Sequence, residues 1–393
     1  MAALLTPAGR EVLRRATDLS SGGGTELAIG TRLRTEGVDP DLAALAVGQV
    51  RLRERAVERL GATVADWVWT PAALEQATRP DVSTRRATRV ADAGLRQAAD
   101  LGCGAGSDAI ALAKAGLDVH AIDLDADVVA VAQHNAAAAG VSDRITFTVG
   151  DALAANLSGI DVVMIDPARR DSNGRRLMRP EQWSPTYSQL LALSEQVPSL
   201  VAKLAPGIEH RLLPPTADTE WIQHGDDLVE ATLWFGQLSR HVGRAAVLLR
   251  GNAEVSVSER DLPAIPPRVG EVGQFLYEPH AAVIRAGLVG VVCDVVSGWL
   301  LDVAIAYVTS DDYVATPLAS SYRVIAEVPF AIKRLRAELQ QRGYGNAIIK
   351  KRGVAVDPEH IRHSLRLSGV GPTATVVLTR TTRGPLALLV ETM

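Results

Sequence analysis

Asp100-Leu101-Gly102-Cys103-Gly104-Ala105-Gly106 follows an apolar run, Gln97–Leu101, that reads as a strand, and it leads into residues 108–115, whose spacing reads as a helix. Glycines at a strand-to-helix turn let the chain reverse tightly and let its backbone approach a ligand closely. The helix that follows offers free N–H groups at its start. The spacing is G-x-G-x-G, whereas a dinucleotide site carries G-x-G-x-x-G. A leading acid, Asp100, would repel an anionic pyrophosphate and attract the amine of a methionyl group. The turn is therefore expected to hold S-adenosylmethionine (SAM) through Asp100, Gly102, Gly104 and Gly106.

Reading outward, short apolar runs alternate with helical patterns: residues 118–122, 127–139, Ile145–Val149 and 161–165. This is the rhythm of a parallel sheet covered by helices. The second strand ends at Asp123, placed about twenty residues past the glycines to take both ribose hydroxyls. Asp125 reads better as the cap of the next helix. The third strand ends at Asp151, expected beside the adenine amine, with a simple turn residue as the alternative. In an open α/β sheet the ligand lies at the carboxyl ends of the strands, where these three acids fall in order.

The fourth strand ends Asp166-Pro167-Ala168-Arg169-Arg170. This resembles class I methyltransferases acting on exocyclic amines of nucleobases, which carry Asp or Asn, then Pro-Pro, then an aromatic. The resemblance implies that the Asp166 carboxylate and the carbonyl of Pro167 accept hydrogen bonds from the amine and aim its lone pair at the methyl group. Ala168 and Arg169 depart from the pattern. An Arg plane can stack on a base or grip a phosphate, or Arg169 and Arg170 form a solvated pair. Trp183 or Tyr187 is a candidate for a π-face, with ordinary packing as the alternative for Trp183.

Taken in series, the glycine turn, Ile122-Asp123-Leu124-Asp125, Asn135, Gly150-Asp151 and Asp166-Pro167 resemble the RNA guanine-N2 methyltransferase group that includes trimethylguanosine synthase. Leu276-Tyr277-Glu278-Pro279-His280-Ala281-Ala282 and Ile349-Lys350-Lys351-Arg352-Gly353 resemble a bacterial methyltransferase family with a C-terminal THUMP-like domain. Together these likenesses span nearly the whole chain. They imply a SAM enzyme modifying RNA, tRNA and rRNA being equally open, and they favour guanine N2.

The rest of the sequence sets the frame. The chain has 393 residues, 47% hydrophobic but only 4% aromatic, so Ala, Val and Leu must fill the cores. Its net charge of −4 excludes a chain that binds nucleic acid by overall charge alone. Two cysteines, Cys103 and Cys293, rule out a disulfide framework or a Cys-based zinc site, no metal is expected, and a cytoplasmic setting fits. No signal peptide is read at the start, and the apolar stretch 281–306 is broken by Arg285, Asp294 and Asp302, so no membrane span is expected.

The expected architecture is α/β: a helical domain at 1–91, a Rossmann-like class I methyltransferase core at 92–250, a connector at 251–320 and a small α+β domain at 321–393. In the helical part, Asp39-Pro40 and Thr70-Pro71 read as helix starts, and Arg79, Arg85, Arg86 and Arg89 cluster before the core. The last segment reads β-α-β-α-β-β. Between residues 331 and 366 it carries Lys333, Arg334, Arg336, Arg342, Lys350, Lys351, Arg352, Arg362 and Arg366 against Glu338, Asp357 and Glu359. Such an excess suits phosphate contacts. Other acceptors stay open: a small molecule, a protein, or no turnover at all in a SAM-retaining RNA-binding protein. Oligomeric state is not legible.

Overall fold

In the computed structural model the first ninety residues are helices whose ends are set by local chemistry: α1 (Ala2–Leu5), α2 (Pro7–Ser21), α3 (Glu26–Thr35), α4 (Pro40–Leu60), α5 (Pro71–Gln76) and α6 (Pro80–Asp92). Asp39 caps α4 by accepting from the N–H groups of Asp41 and Leu42, Pro40 opens the helix, and Gly61 at φ 88° ends it. Thr70 caps α5 in the same way through Ala73. The structure describes residues 1–169, 175, 177–251 and 253–393.

The sheet begins with β1 (Gln97–Leu101) and continues through α7 (Ser107–Lys114), β2 (Asp118–Asp123), α8 (Ala126–Ala138), β3 (Ile145–Val149), β4 (Val162–Ile165), α9 (Tyr187–Ser194) and β5 (Ser199–Leu204). These strands lie in the order β3-β2-β1-β4-β5, all parallel. Parallel strands covered on both faces need continuous apolar runs, and β4 and β5 are buried at every residue. Asp161 ties the start of β4 to β1 by accepting from the N–H groups of Arg96 and Gln97.

The chain forms two compact units, residues 1–204 with 232–241, and residues 205–231 with 242–393. In the first, the helices before β1 are pinned to the sheet layer by buried amides. Asn135 of α8 bonds both the N–H and the carbonyl of Val68 and the carbonyl of Ala105, and Gln49 of α4 brackets Trp69. Arg89 of α6 is buried with its guanidinium 4.0 Å from the Trp234 ring centre.

The second unit holds β6 (Asp218–His224) parallel to β8 (Gly243–Arg250), which is antiparallel to β9 (Ala253–Ser258); β7 (Asp227–Gly236) is shared between the units at Ala231 and Thr232. After β10 (Phe275–Pro279), α10 (Ala281–Arg285), α11 (Val289–Val295), β11 (Trp299–Asp302) and β12 (Ile305–Ser310) comes the C-terminal module. It runs β13 (Ala319–Pro329), α12 (Ile332–Gln341), β14 (Asn346–Lys351), α13 (Pro358–Ser364), β15 (Thr373–Thr381) and β16 (Gly384–Thr392). A seven-stranded sheet orders these as β11-β12-β10-β13-β16-β15-β14. Leu335 and Leu339 of α12 and Ile361 of α13 pack on Val376, Leu378 and Leu389, giving the module its own core. Among the described residues no helix is long and apolar enough to cross a membrane.

Candidate active site

The glycine turn between β1 and α7 is built on positive φ angles: 85° at Gly102, 54° at Gly104 and 87° at Gly106. Side chains rarely adopt this region, which is why glycine stands at each position. The N–H groups of Gly102 and Cys103 both donate to the Ile122 carbonyl and fasten the turn to β2. A methyl group on Gly104 would meet no heavy atom within 4 Å, so this part of the turn faces open space that a ligand can fill. At Gly106 the same methyl group would lie in ordinary contact with Ala132 and Ile110 at 3.4 Å, so the backbone conformation rather than space calls for glycine there.

Asp123, at the end of β2, is half-buried and accepts from the Gly104 N–H at 3.1 Å and from the Asp125 N–H at 3.1 Å. It thereby locks the turn while keeping lone pairs on both oxygens for hydroxyl donors. Asp125 caps α8 through the Asp127 N–H. Asp151 is exposed and accepts from the Leu153 N–H, starting a short 3₁₀ turn at the end of β3. Asp100 is almost fully buried, and its carboxylate accepts from the Ala109 N–H of α7. Burial first, and then the neighbouring Asp108 carboxylate, push its pKa up to about 7.

The end of β4 carries the largest feature that the sequence reading missed. Lys203, on β5, donates from its ammonium to Asp166 Oδ2 at 2.5 Å, to Thr78 Oγ1 at 2.8 Å and to Asp108 Oδ2 at 3.2 Å. Asp108, in the first turn of α7, also pairs with the buried Arg86 of α6 and accepts from the Thr78 hydroxyl. Burial opposes ionisation of Asp108, yet Arg86 and Lys203 together hold its pKa below the ordinary value. The Asp166 side chain keeps 30% of its exposure. Oδ1 of Asp166 has no hydrogen-bond partner among the described residues. A side chain at Gly102 would meet the Asp166 carbonyl oxygen at 3.8 Å, which measures how near the end of β4 lies to the glycine turn.

Beyond Asp166, Pro167 is buried, and Ala168 pairs with Ser184 through hydrogen bonds in both directions. Arg169 is half-buried, its carbonyl accepting from the Leu177 N–H. Arg170 lies outside the described residues. Trp183 and Tyr187 are each only 4% exposed, and the Trp183 indole donates to the Leu177 carbonyl. Trp183 is thus packed, and Tyr187 is buried as well, so neither presents an exposed ring face.

The basic stretch of the C-terminal module is less available than its composition suggests. Glu278 of β10 takes Lys350 at 2.6 Å and Arg352 at 3.6 Å, with the Tyr322 hydroxyl bonded to both Glu278 and Lys350. Burial works against the Lys350 charge, but these two partners raise its pKa overall. Arg342 pairs with Glu338, Arg362 with Glu359, Arg336 donates to the Ser364 carbonyl and Lys351 to the Val356 carbonyl. Lys333, Arg334 and Arg366 are exposed, and their side chains have no ion-pair or hydrogen-bond partner among the described residues. The same geometry explains the Tyr277-Glu278-Pro279-His280 segment: the Tyr277 hydroxyl accepts from the Val314 N–H, and His280 shares a hydrogen bond with Arg250. Among the described residues no group of three or more His, Cys, Asp or Glu side chains is placed to hold a metal.

Comparison with known proteins places the chain in a family. A methyltransferase domain family matches residues 98–170, a THUMP domain-like family residues 319–392 and a domain of unknown function residues 1–56. Two uncharacterised SAM-dependent methyltransferases of Mycobacterium tuberculosis, from strains CDC 1551 / Oshkosh and ATCC 25618 / H37Rv, are each 34% identical over 362 residues, 88% of this chain and 95% of theirs. A solved Porphyromonas gingivalis W83 protein described as a methyltransferase shares the fold, with a TM-score of 0.76, 18% identity and coverage of 97% of this chain and 98% of that one. The glycine turn, the acids at successive strand ends and a relationship running the length of the chain thus converge: the protein belongs to the SAM-dependent methyltransferases, with a Rossmann-like class I core and a THUMP-like C-terminal domain.

Proposed function

We infer that the enzyme methylates an exocyclic amine of an RNA base, guanine N2 being the favoured position. The observation that carries this reading is Asp166: a partly exposed carboxylate at the end of β4, one oxygen tied to Lys203 and Oδ1 without a partner among the described residues, beside the glycine turn. Oδ1, with the backbone carbonyl of Pro167, accepts the two N–H bonds of the amine and turns its lone pair toward the methyl group, which is catalysis by positioning. Bound SAM supplies an activated sulfonium methyl. It would supply both the methyl group and the leaving sulfur, which would keep the electron pair of the S–C bond, and the extra N–H proton of the amine would pass to water.

The residues assigned to the donor are Asp100 toward the methionyl amine, Gly102, Gly104 and Gly106 in the turn, Asp123 on the ribose and Asp151 near the adenine. Asp100 fits because a buried carboxyl near half-ionisation gains from an approaching cation. Arg169 is assigned to the base or its phosphate.

RNA is supported by the THUMP-like match and by Lys333, Arg334 and Arg366 on the outside of the module. The two buried free cysteines suit a cytoplasmic setting. The internal pairing of Lys350, Arg352, Arg342 and Arg362, together with the buried Trp183 and Tyr187, favours a second reading in which the acceptor is a small molecule or a protein. Transfer of labelled methyl from SAM to total RNA from a strain lacking the gene separates the two. Label entering that RNA and not wild-type RNA, then found in a guanine nucleoside after digestion, is the expected result. RNA that stays unlabelled while SAM binds would move the acceptor to the second class.

A further inference from the structure

We propose that Lys203 is a positioning residue for methyl transfer: its ammonium, anchored by Thr78 and Asp108, holds Asp166 Oδ2 so that Oδ1 alone faces the acceptor. The inference rests on the reading of Asp166 given above and adds a second residue to it.

Three observations carry it. First, the strand register places Lys203 beside Asp166. The β4–β5 ladder pairs Met164 with Val201 and Ile165 with Ala202, and the next position on each strand is Asp166 and Lys203. Second, the ammonium meets three acceptors among the described residues. An ammonium has three donors, and the acceptors here are Thr78, Asp108 and Asp166. The first two acceptors come from the segment before α6 and from the first turn of α7, and Arg86 of α6 fixes Asp108 in turn. The ammonium is thus held from two sides besides its contact with Asp166.

Third, β5 is otherwise an apolar strand, Ser199-Leu200-Val201-Ala202-Lys203-Leu204, buried throughout. A lysine there costs stability unless its charge is answered. A hydrophobic residue would complete the strand equally well, and Asp108 would still have Arg86. What the lysine adds that packing does not require is the contact with the one carboxylate of the group that reaches solvent. Its charge also faces Asp100 of β1 and Asp108 of α7, so the one ammonium answers three carboxylates.

The test is a double-mutant cycle on the full-length enzyme with RNA as acceptor. Lys203→Met should lower kcat about 100-fold, the loss typical of a reacting group displaced by about 1 Å. KM for SAM should stay within twofold. Lys203→Met placed in an Asp166→Ala background should cause no further loss, because residues acting as one unit are not additive. Lys203→Arg, which keeps charge and reach, should recover at least tenfold of the lost rate. A multiplicative loss in the double variant, a fall in donor affinity that parallels kcat, or an unchanged kcat in a folded Lys203→Met protein would each overturn the proposal. If Lys203→Met does not fold, the cycle is run with Lys203→Gln. A crystal structure of the variant reads the same claim without turnover: the Asp166 carboxylate should leave its wild-type rotamer. Should Asp166→Ala itself retain full transfer, the reading of Asp166 fails, and the rotamer alone then decides whether Lys203 positions it.

Discussion

Two clusters of charge, one in each unit, are built with opposite balance. At the ends of β1, β4 and β5, two cations, Arg86 and Lys203, meet three carboxylates, Asp100, Asp108 and Asp166. On β10 and β14 one carboxylate, Glu278, meets two cations, Lys350 and Arg352. With Asp100 ionised, the first set is left short of positive charge among the described residues and suits a cationic ligand. The second is left short of negative charge. Depth differs as well: Arg86 is 1% exposed on its side chain, whereas Lys350 is 36% exposed. A cluster that excludes water makes each charge depend on its partners, and one open to water does not.

The comparison breaks most readily at Arg86. Arg86→Met leaves Asp108 short of a buried partner and should cost about 3–5 kcal/mol in urea unfolding; a loss below 1 kcal/mol would mean that the first cluster is no tighter than a surface pair.

Asp100 gives a smaller, pH-graded effect. Its pKa is near 4 in the unfolded chain and about 7 in the folded one. Between those values the unfolded state has lost the proton and the folded state has kept it, so stability falls as pH rises from about 4 to about 7 and is level above. The slope should reach about 1.4 kcal/mol per pH unit at most. Asp100→Asn should remove this part of the slope, and a wild-type minus variant difference that is flat across the window would contradict the burial argument.

In the open cluster, Glu278→Gln should cost only about 1–2 kcal/mol by thermal unfolding, with salt partly relieving the repulsion between Lys350 and Arg352. Salt-independent loss would place that cluster with the buried one. The smallest effect is expected from Lys333→Ala with Arg334→Ala: stability within about 0.5 kcal/mol of wild type. The salt dependence of RNA retention, measured on a filter, should become shallower by one to two charges. An unchanged salt slope would remove these residues from any RNA surface.

How much of this was legible in the sequence follows from how local each signal is. The glycine turn, Asp123, Asp125 and Asp166 lie at strand ends whose spacing is set by short loops, and the strands Gln97–Leu101 and Ile145–Val149 are readable from apolar runs alone. The C-terminal β-α-β-α-β-β order was legible because each element keeps its own period and turn residues. Lys203 was not, because a single lysine in Ser199–Leu204 carries no spacing signal and its partners Asp108 and Thr78 are 95 and 125 residues away in sequence. The basic excess was legible only as composition: counting charges between 331 and 366 cannot see Glu278, 72 residues before Lys350. Arg86 and Arg89 stood in a visible basic cluster, yet both are buried and serve Asp108 and Trp234.

The most direct measurement is the separation of binding from transfer in Asp166→Ala. SAM affinity by calorimetry and single-turnover methyl transfer would be measured on the same preparation. Affinity within threefold of wild type, with transfer reduced at least about 100-fold, is what a carboxylate that orients the acceptor predicts. Transfer at the wild-type rate, or affinity lost in step with transfer, would contradict the assignment of Asp166 to the acceptor.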